Sequence, residues 1–139
     1  MHTEQIRGKV LKKGNTFRKQ YQVDPEIYLG FINLFGDKNP LHTDAVFAKG
    51  KGFRDCVMHG NILGGFLSHF VGECLPVKNI VIHSQEIIYL LPVYLHDCLT
   101  LEVTVLDYFE SVNVFELKFY FQNSGNEKVA KGMLNIGLL

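Results

Sequence analysis

The sequence predicts an α+β domain in which a mostly antiparallel sheet wraps one long apolar helix. Three observations predict it. From residue 79 onward the chain is a succession of runs rich in β-branched and aromatic residues; residues 58 to 76 repeat apolar side chains at intervals of three and four; and a second apolar helix opens on a capping signature at Asp24. With 139 residues and 47% apolar content, the chain is expected to form a single domain, 1–139, whose core needs neither disulfide nor metal.

Residues 6 to 23 read as an extended pair broken by a turn at Gly14-Asn15. Asp24-Pro25-Glu26 then supplies a capping side chain, a proline for the first helical position and an acid for the first turn. Ile27, Phe31 and Leu34 form one apolar row and Tyr28, Ile32 and Phe35 a second, so this helix is expected to be well buried and to end at Gly36. In the long helix, Ile62, Leu63, Phe66, Leu67, Phe70 and Val71 form the apolar face. Gly64 and Gly65 weaken its interior by up to about 1 kcal/mol each, which suits close approach of a ligand or tight packing on the sheet. Four runs, 79–93, 98–109, 112–123 and 128–139, read as strands, with Leu99, Leu101, Val103 and Val105 in clean alternation.

The 14 basic and 14 acidic residues cancel, so the chain lacks the positive field of a non-specific nucleic-acid binder. The charge is uneven: the chain is net +5 up to Arg54 and net −5 from Asp55 onward, which provides either mutual neutralisation across the fold or a basic patch for phosphates. Cys56, Cys74 and Cys98 are odd in number and suit a reducing cytoplasm. No apolar run reaches the roughly 18 residues of a membrane span, and no membrane partner is expected.

Polar chemistry concentrates in "GDKNPLHTDAVFAKG", residues 36 to 50. Asp37 falls just past the negative end of a helix dipole, which disfavours a second anion and suits a general base. Pro40 extends Asn39 and bends the chain, so Asp37 and His42 can face one pocket; the alternative is an Asx-turn on Asp37 with His42 in solvent. Gly60 begins the long helix, where backbone N–H groups lack intrahelical acceptors and can face an oxyanion; the alternative, which the residues alone favour, is a plain N-terminal turn. His59, His69 and Cys74 lack ordinary metal-ligand spacing, and Ser68 and His69 point apart on a helix and cannot form a nucleophile–base pair. Lys49, Lys51 and Arg54 could meet a phosphate in a glycine-loosened loop, although their spacing is not that of a P-loop.

The order of "GDKNPLHTDAVFA", "HGNILGGFLS" and "LLPVYLHD" resembles the MaoC-like dehydratases, and within them the R-specific enoyl-CoA hydratases, over nearly the whole chain. That resemblance implies a hot-dog fold with Asp37 and His42 as catalytic pair and the Gly60 N–H in the oxyanion hole. It also implies a place for Ser68 near the catalytic acid. The substrate-binding candidates are Ser68, Asn39, Lys49, Lys51 and Arg54, with Asn39 and Asp44 also expected to support the turn. Cys56, Asn61 and His96 depart from the family's proline, apolar residue and glycine, changes that would act on the acyl pocket.

The chemistry implied is hydration of a trans-2-enoyl thioester to a (3R)-hydroxyacyl thioester, or its reversal, with neither metal nor redox cofactor. The acyl group would ride on coenzyme A or an acyl carrier protein, and the enzyme would be a homodimer. Two other functions fit the same scaffold: an acyl-thioesterase and a non-catalytic acyl-thioester binding module.

Overall fold

The computed structural model describes residues 11–139; of the first arm of the expected extended pair, residues 6–10 lie outside the described residues and residues 11–13 form a bend and turn rather than a strand. The chain runs β1 (Thr16–Gln22), α1 (Pro25–Phe35), α2 (Pro40–Thr43), α3 (Ala45–Gly50), α4 (Asn61–His69), β2 (Ile80–Tyr89), β3 (Cys98–Phe109), β4 (Val114–Gln122) and β5 (Lys128–Leu138). The strands form one antiparallel sheet in the order β1-β3-β4-β5-β2. With α4 lying across it, this is the hot-dog arrangement that the motifs imply.

Alternation decides which face of the sheet is covered. Leu101, Val103 and Val105 of β3 stand opposite Phe121, Phe119 and Leu117 of β4, and Leu117 and Phe115 stand opposite Leu134 and Ile136 of β5. All are buried. A slip of one residue would turn every one of them to solvent, so the apolar pattern fixes the register. Onto this face α4 lays Ile62, Leu63, Phe66 and Leu67, and the π-helical turn Phe70–Cys74 adds Phe70 and Val71. Regular α-helix therefore stops at His69 rather than running to residue 76.

Local signals at α1 act as the sequence predicts. Asp24 Oδ1 accepts the Ile27 N–H at 2.8 Å, and Gly36 closes the helix at φ 72°, where a side chain would be strained. The expectation that α1 is well buried is wrong. None of its residues is buried, and Leu34 and Phe35 are 80% and 71% exposed. The sheet's apolar face is already covered by α4, so only Ile27, Tyr28 and Phe31 reach the core.

Neither glycine of α4 is forced by tight packing on the sheet, although Gly64 faces Gln85 of β2. Gly65 has open space where a Cβ would stand, Gly64 has the Gln85 side chain at 3.5 Å, and both line a groove against α1. His96, where the resembled family carries glycine, adopts φ 73° and donates its N–H to Val23 O at 2.7 Å. That left-handed backbone costs a non-glycine residue about 1 kcal/mol. No helix among the described residues is long and apolar enough to cross a membrane.

Candidate active site

Three sequence segments distant in the chain are laced together by backbone hydrogen bonds. Val57 N–H donates to Leu41 O at 3.0 Å, and Met58 N–H to Val93 O at 2.8 Å. The turn before α4 is thereby pinned between the Asn-Pro-Leu-His helix α2 and the Leu-Pro-Val turn. Two imidazoles complete the lacing: His42 Nδ1 bonds Val57 O at 2.7 Å and His59 Nε2 bonds Asp37 O at 2.8 Å.

A carbonyl only accepts, so each bond fixes a tautomer. His42 carries its proton on Nδ1 and turns Nε2 toward Asp37. His59 carries its proton on Nε2. The nitrogen left over, His59 Nδ1, is buried without a hydrogen-bond partner among the described residues. The His59 ring lies between Phe31 and His42, with centroids 4.6 and 4.0 Å away. His59 thus holds the Asp37 main chain and backs the His42 ring.

His42 Nε2 and Asp37 Oδ2 are 3.9 Å apart. That is too long for a direct hydrogen bond, and both atoms remain able to contact one small oxygen species between them. The two readings of Asp37 prove compatible, because Oδ1 accepts the Asn39 N–H at 3.1 Å in an Asx-turn while Oδ2 faces His42. His42 is not in solvent: its side chain is 16% exposed, against 49% for Asp37. Its carbonyl also accepts from the Tyr28 hydroxyl at 2.6 Å, a phenol whose pKa burial raises above the usual value.

The expectation of one pocket needs correction. His42 and Gly60 line a cavity of about 390 Å³ walled by Met58, Ile62, Tyr89 and Val93. Asp37 instead lines a groove of about 810 Å³ between α1 and α4, with Ile27, Phe31, Leu34, Phe35 and Phe66. Ile62 and the two catalytic candidates form the boundary between the spaces, so Asp37 and His42 bridge two openings. The reason is that α1 stops short of the core and leaves the groove open on Asp37's side.

Gly60 is the N-cap of α4, and its N–H meets no acceptor among the described residues. Asn39 spends its side chain on capping α2 through the Leu41 N–H at 3.0 Å, and Asp44 caps α3 through the Val46 and Phe47 N–H groups. Both support the turn. Ser68 is exposed and, by helix rise, about 12 Å beyond Gly60; it lines neither space. Lys51 sits 5.4 Å from the Phe47 ring centre. Arg54 stacks on Tyr94 at 4.2 Å and pairs with Asp97 at 3.8 Å.

His69 and Cys74 do not join His59: they meet Tyr21 instead, whose hydroxyl is 2.9 Å from His69 Nδ1. Among the described residues the group that could converge on a metal is Asp37, His42 and His59, with ligand atoms within 4.8 Å of one another. The support given by His59 was not read from the sequence, where the residue was weighed only as a metal ligand and as the neighbour of Gly60; a histidine adjoining a helix start was the available signal. Tyr28 and Tyr89 carried no signal of their own.

The geometry agrees with what the chain is similar to. It is 37% identical over 75 residues to the (R)-specific enoyl-CoA hydratase of Aeromonas caviae, covering 54% of this chain and 56% of that protein. It is 36% identical over 96 residues to a mitochondrial 3-hydroxyacyl-[acyl-carrier-protein] dehydratase of Solanum lycopersicum, covering 69% and 53%. These matches thus span little more than half the length of the curated relatives. Among solved structures, the (R)-hydratase of A. caviae superposes with TM-score 0.85 at 28% identity over 93% of this chain and 98% of that one. The unliganded R-hydratase PhaJ1 of Pseudomonas aeruginosa gives 0.83 at 25% identity over 92% and 82%. Residues 8–136 match the MaoC like domain, and with the hot-dog fold in place the chain belongs to the MaoC-like family.

Proposed function

We propose that the protein hydrates trans-2-enoyl thioesters to (3R)-hydroxyacyl thioesters, or catalyses the reverse dehydration, using Asp37 and His42 as the catalytic pair. One observation carries the reading: His42 Nε2 and Asp37 Oδ2 stand 3.9 Å apart with the His42 tautomer fixed by Val57 O, and His42 shares its cavity with Gly60. The (R)-specific hydratases among its relatives support it.

In hydration, a water held between the two side chains loses a proton to the pair as its oxygen bonds to C3. The electrons of the double bond move onto the thioester oxygen, which the Gly60 N–H stabilises. Return of the proton to C2 completes the addition and restores the pair. General acid–base catalysis of this kind contributes about 10²- to 10⁴-fold, and one oxyanion donor about 10²- to 10³-fold. No step requires a metal or redox cofactor.

The two openings suggest how the substrate lies. With C3 at the pair and the thioester oxygen at Gly60, the acyl tail extends into the apolar α1–α4 groove, and the carrier arm leaves through the smaller cavity. Lys49 and Lys51 form no ion pair among the described residues and are suited to phosphates of coenzyme A or to an acidic acyl carrier protein. Arg54 would have to leave Asp97 to join them. Asn39 acts by shaping the turn and Ser68 is the outlying candidate.

The free edge of β2 supports a homodimer, since it carries ten residues with Val81, Ile88 and Tyr89 exposed and an unpaired strand edge invites a second strand. Three free cysteines suit the reducing cytoplasm.

The test is a panel of short to medium enoyl-CoAs with chiral analysis of product. Loss of the enoyl absorbance with formation of the (3R) alcohol is the expected result. Thiol release with the double bond intact identifies an acyl-thioesterase, and binding without turnover identifies a binding module; either outcome rejects the hydratase.

A further inference from the structure

Tyr89 ends β2 and approaches Gly60 closely. A Cβ built on Gly60 would lie 2.7 Å from Tyr89 Cζ and 3.0 Å from its hydroxyl oxygen. The phenol therefore fills the space that any side chain at position 60 would need. Tyr89, Gly60 and His42 line the same cavity, and the Tyr89 hydroxyl, like the Gly60 N–H, has no hydrogen-bond partner among the described residues.

We infer that the Tyr89 hydroxyl is a second hydrogen-bond donor to the thioester oxygen, acting beside the Gly60 N–H; this rests on the hydratase reading. Covalent geometry places a Cβ about 2.5 Å from its own nitrogen, so the hydroxyl oxygen and the Gly60 nitrogen are at most about 5.5 Å apart. A carbonyl oxygen accepting along lone pairs about 120° apart takes two donors roughly 5 Å from each other, within that bound. An acceptor between them thus reaches both without movement of the backbone. Desolvation raises the Tyr89 pKa above the usual tyrosine value, which keeps the proton on the hydroxyl at neutral pH. As charge gathers on the thioester oxygen, both hydrogen bonds strengthen, and the proton of Tyr89 stays on its own oxygen throughout.

The experiment compares the wild type and Tyr89→Phe on crotonyl-CoA. The variant keeps the ring over Gly60 and removes only an unpartnered hydroxyl, so the melting temperature is expected to stay at the wild-type value. Loss of the donor should lower kcat by about a hundredfold, the lower end for one oxyanion donor, with KM within about threefold. Difference infrared spectra of bound crotonyl-CoA should show a carbonyl stretch less displaced to low frequency than in the wild type. A kcat within about twofold of wild type, or an unchanged carbonyl band, overturns the inference while the hydratase reading stands. Absence of wild-type turnover across enoyl-CoAs overturns both.

Discussion

Helices α1 and α4 carry similar apolar periodicity, yet one is core and the other is rim. In α4, Ile62, Leu63, Phe66 and Leu67 are all buried against the sheet; in α1 no residue is. The difference teaches that periodicity records which face seeks a partner without saying whether that partner is still available. Once α4 occupies the sheet, α1 can only lean on its flank, through Phe31 on His59 and the Tyr28 hydroxyl on His42 O. The candidate site lies where the two meet, with Asp37 beyond the end of the exposed helix and Gly60 at the start of the buried one.

Substitutions can break this contrast, and the largest effect falls on the chemistry. Asp37→Asn and His42→Ala should each lower crotonyl-CoA turnover by about 10²- to 10⁴-fold, with far-ultraviolet circular dichroism unchanged. Wild-type rates in either would remove the pair from the mechanism. Across the boundary, Gly60→Ala forces a methyl to within 2.7 Å of the Tyr89 ring and should cost about 10²-fold in kcat as the oxyanion site is displaced.

Stability measurements sharpen the same comparison. Leu67→Ala in α4, at 0% exposure, should lose about 2 to 5 kcal/mol in urea unfolding. Leu34→Ala in α1, at 80% exposure, should change it by less than about 0.5 kcal/mol; equal losses would mean that α1 is as much core as α4. A smaller effect is expected at Tyr28→Phe, which removes one hydrogen bond tethering α1 and should cost about 1 kcal/mol. His96→Gly acts in the opposite direction: it relieves the backbone at φ 73° and should stabilise by about 0.5 kcal/mol after the added flexibility of the unfolded chain.

Much of the site was legible because its signals are local. Asp24 and Pro25 start α1, Gly36 stops it, and Asn39-Pro40 turns the chain so that His42 returns toward Asp37. What escaped depends on contacts between distant segments. His59 acts on a carbonyl 22 positions earlier, and Tyr89 reaches Gly60 from the end of a strand. Neither a carbonyl's orientation nor the end point of a strand's side chain is written in a local pattern.

By itself the sequence determined the sheet and the covering helix, because alternation, helical spacing, caps and turn residues act over a few positions; its motifs placed Asp37 and His42 together through their resemblance to the MaoC-like family. Only the tertiary structure decided that α4 takes the core and α1 remains outside. It also decided that Asp37 and His42 open onto separate spaces and that Tyr89 covers Gly60. The physical reason is competition for one apolar surface: whichever helix covers the sheet excludes the other, and the outcome sets where cavities and long-range hydrogen bonds fall.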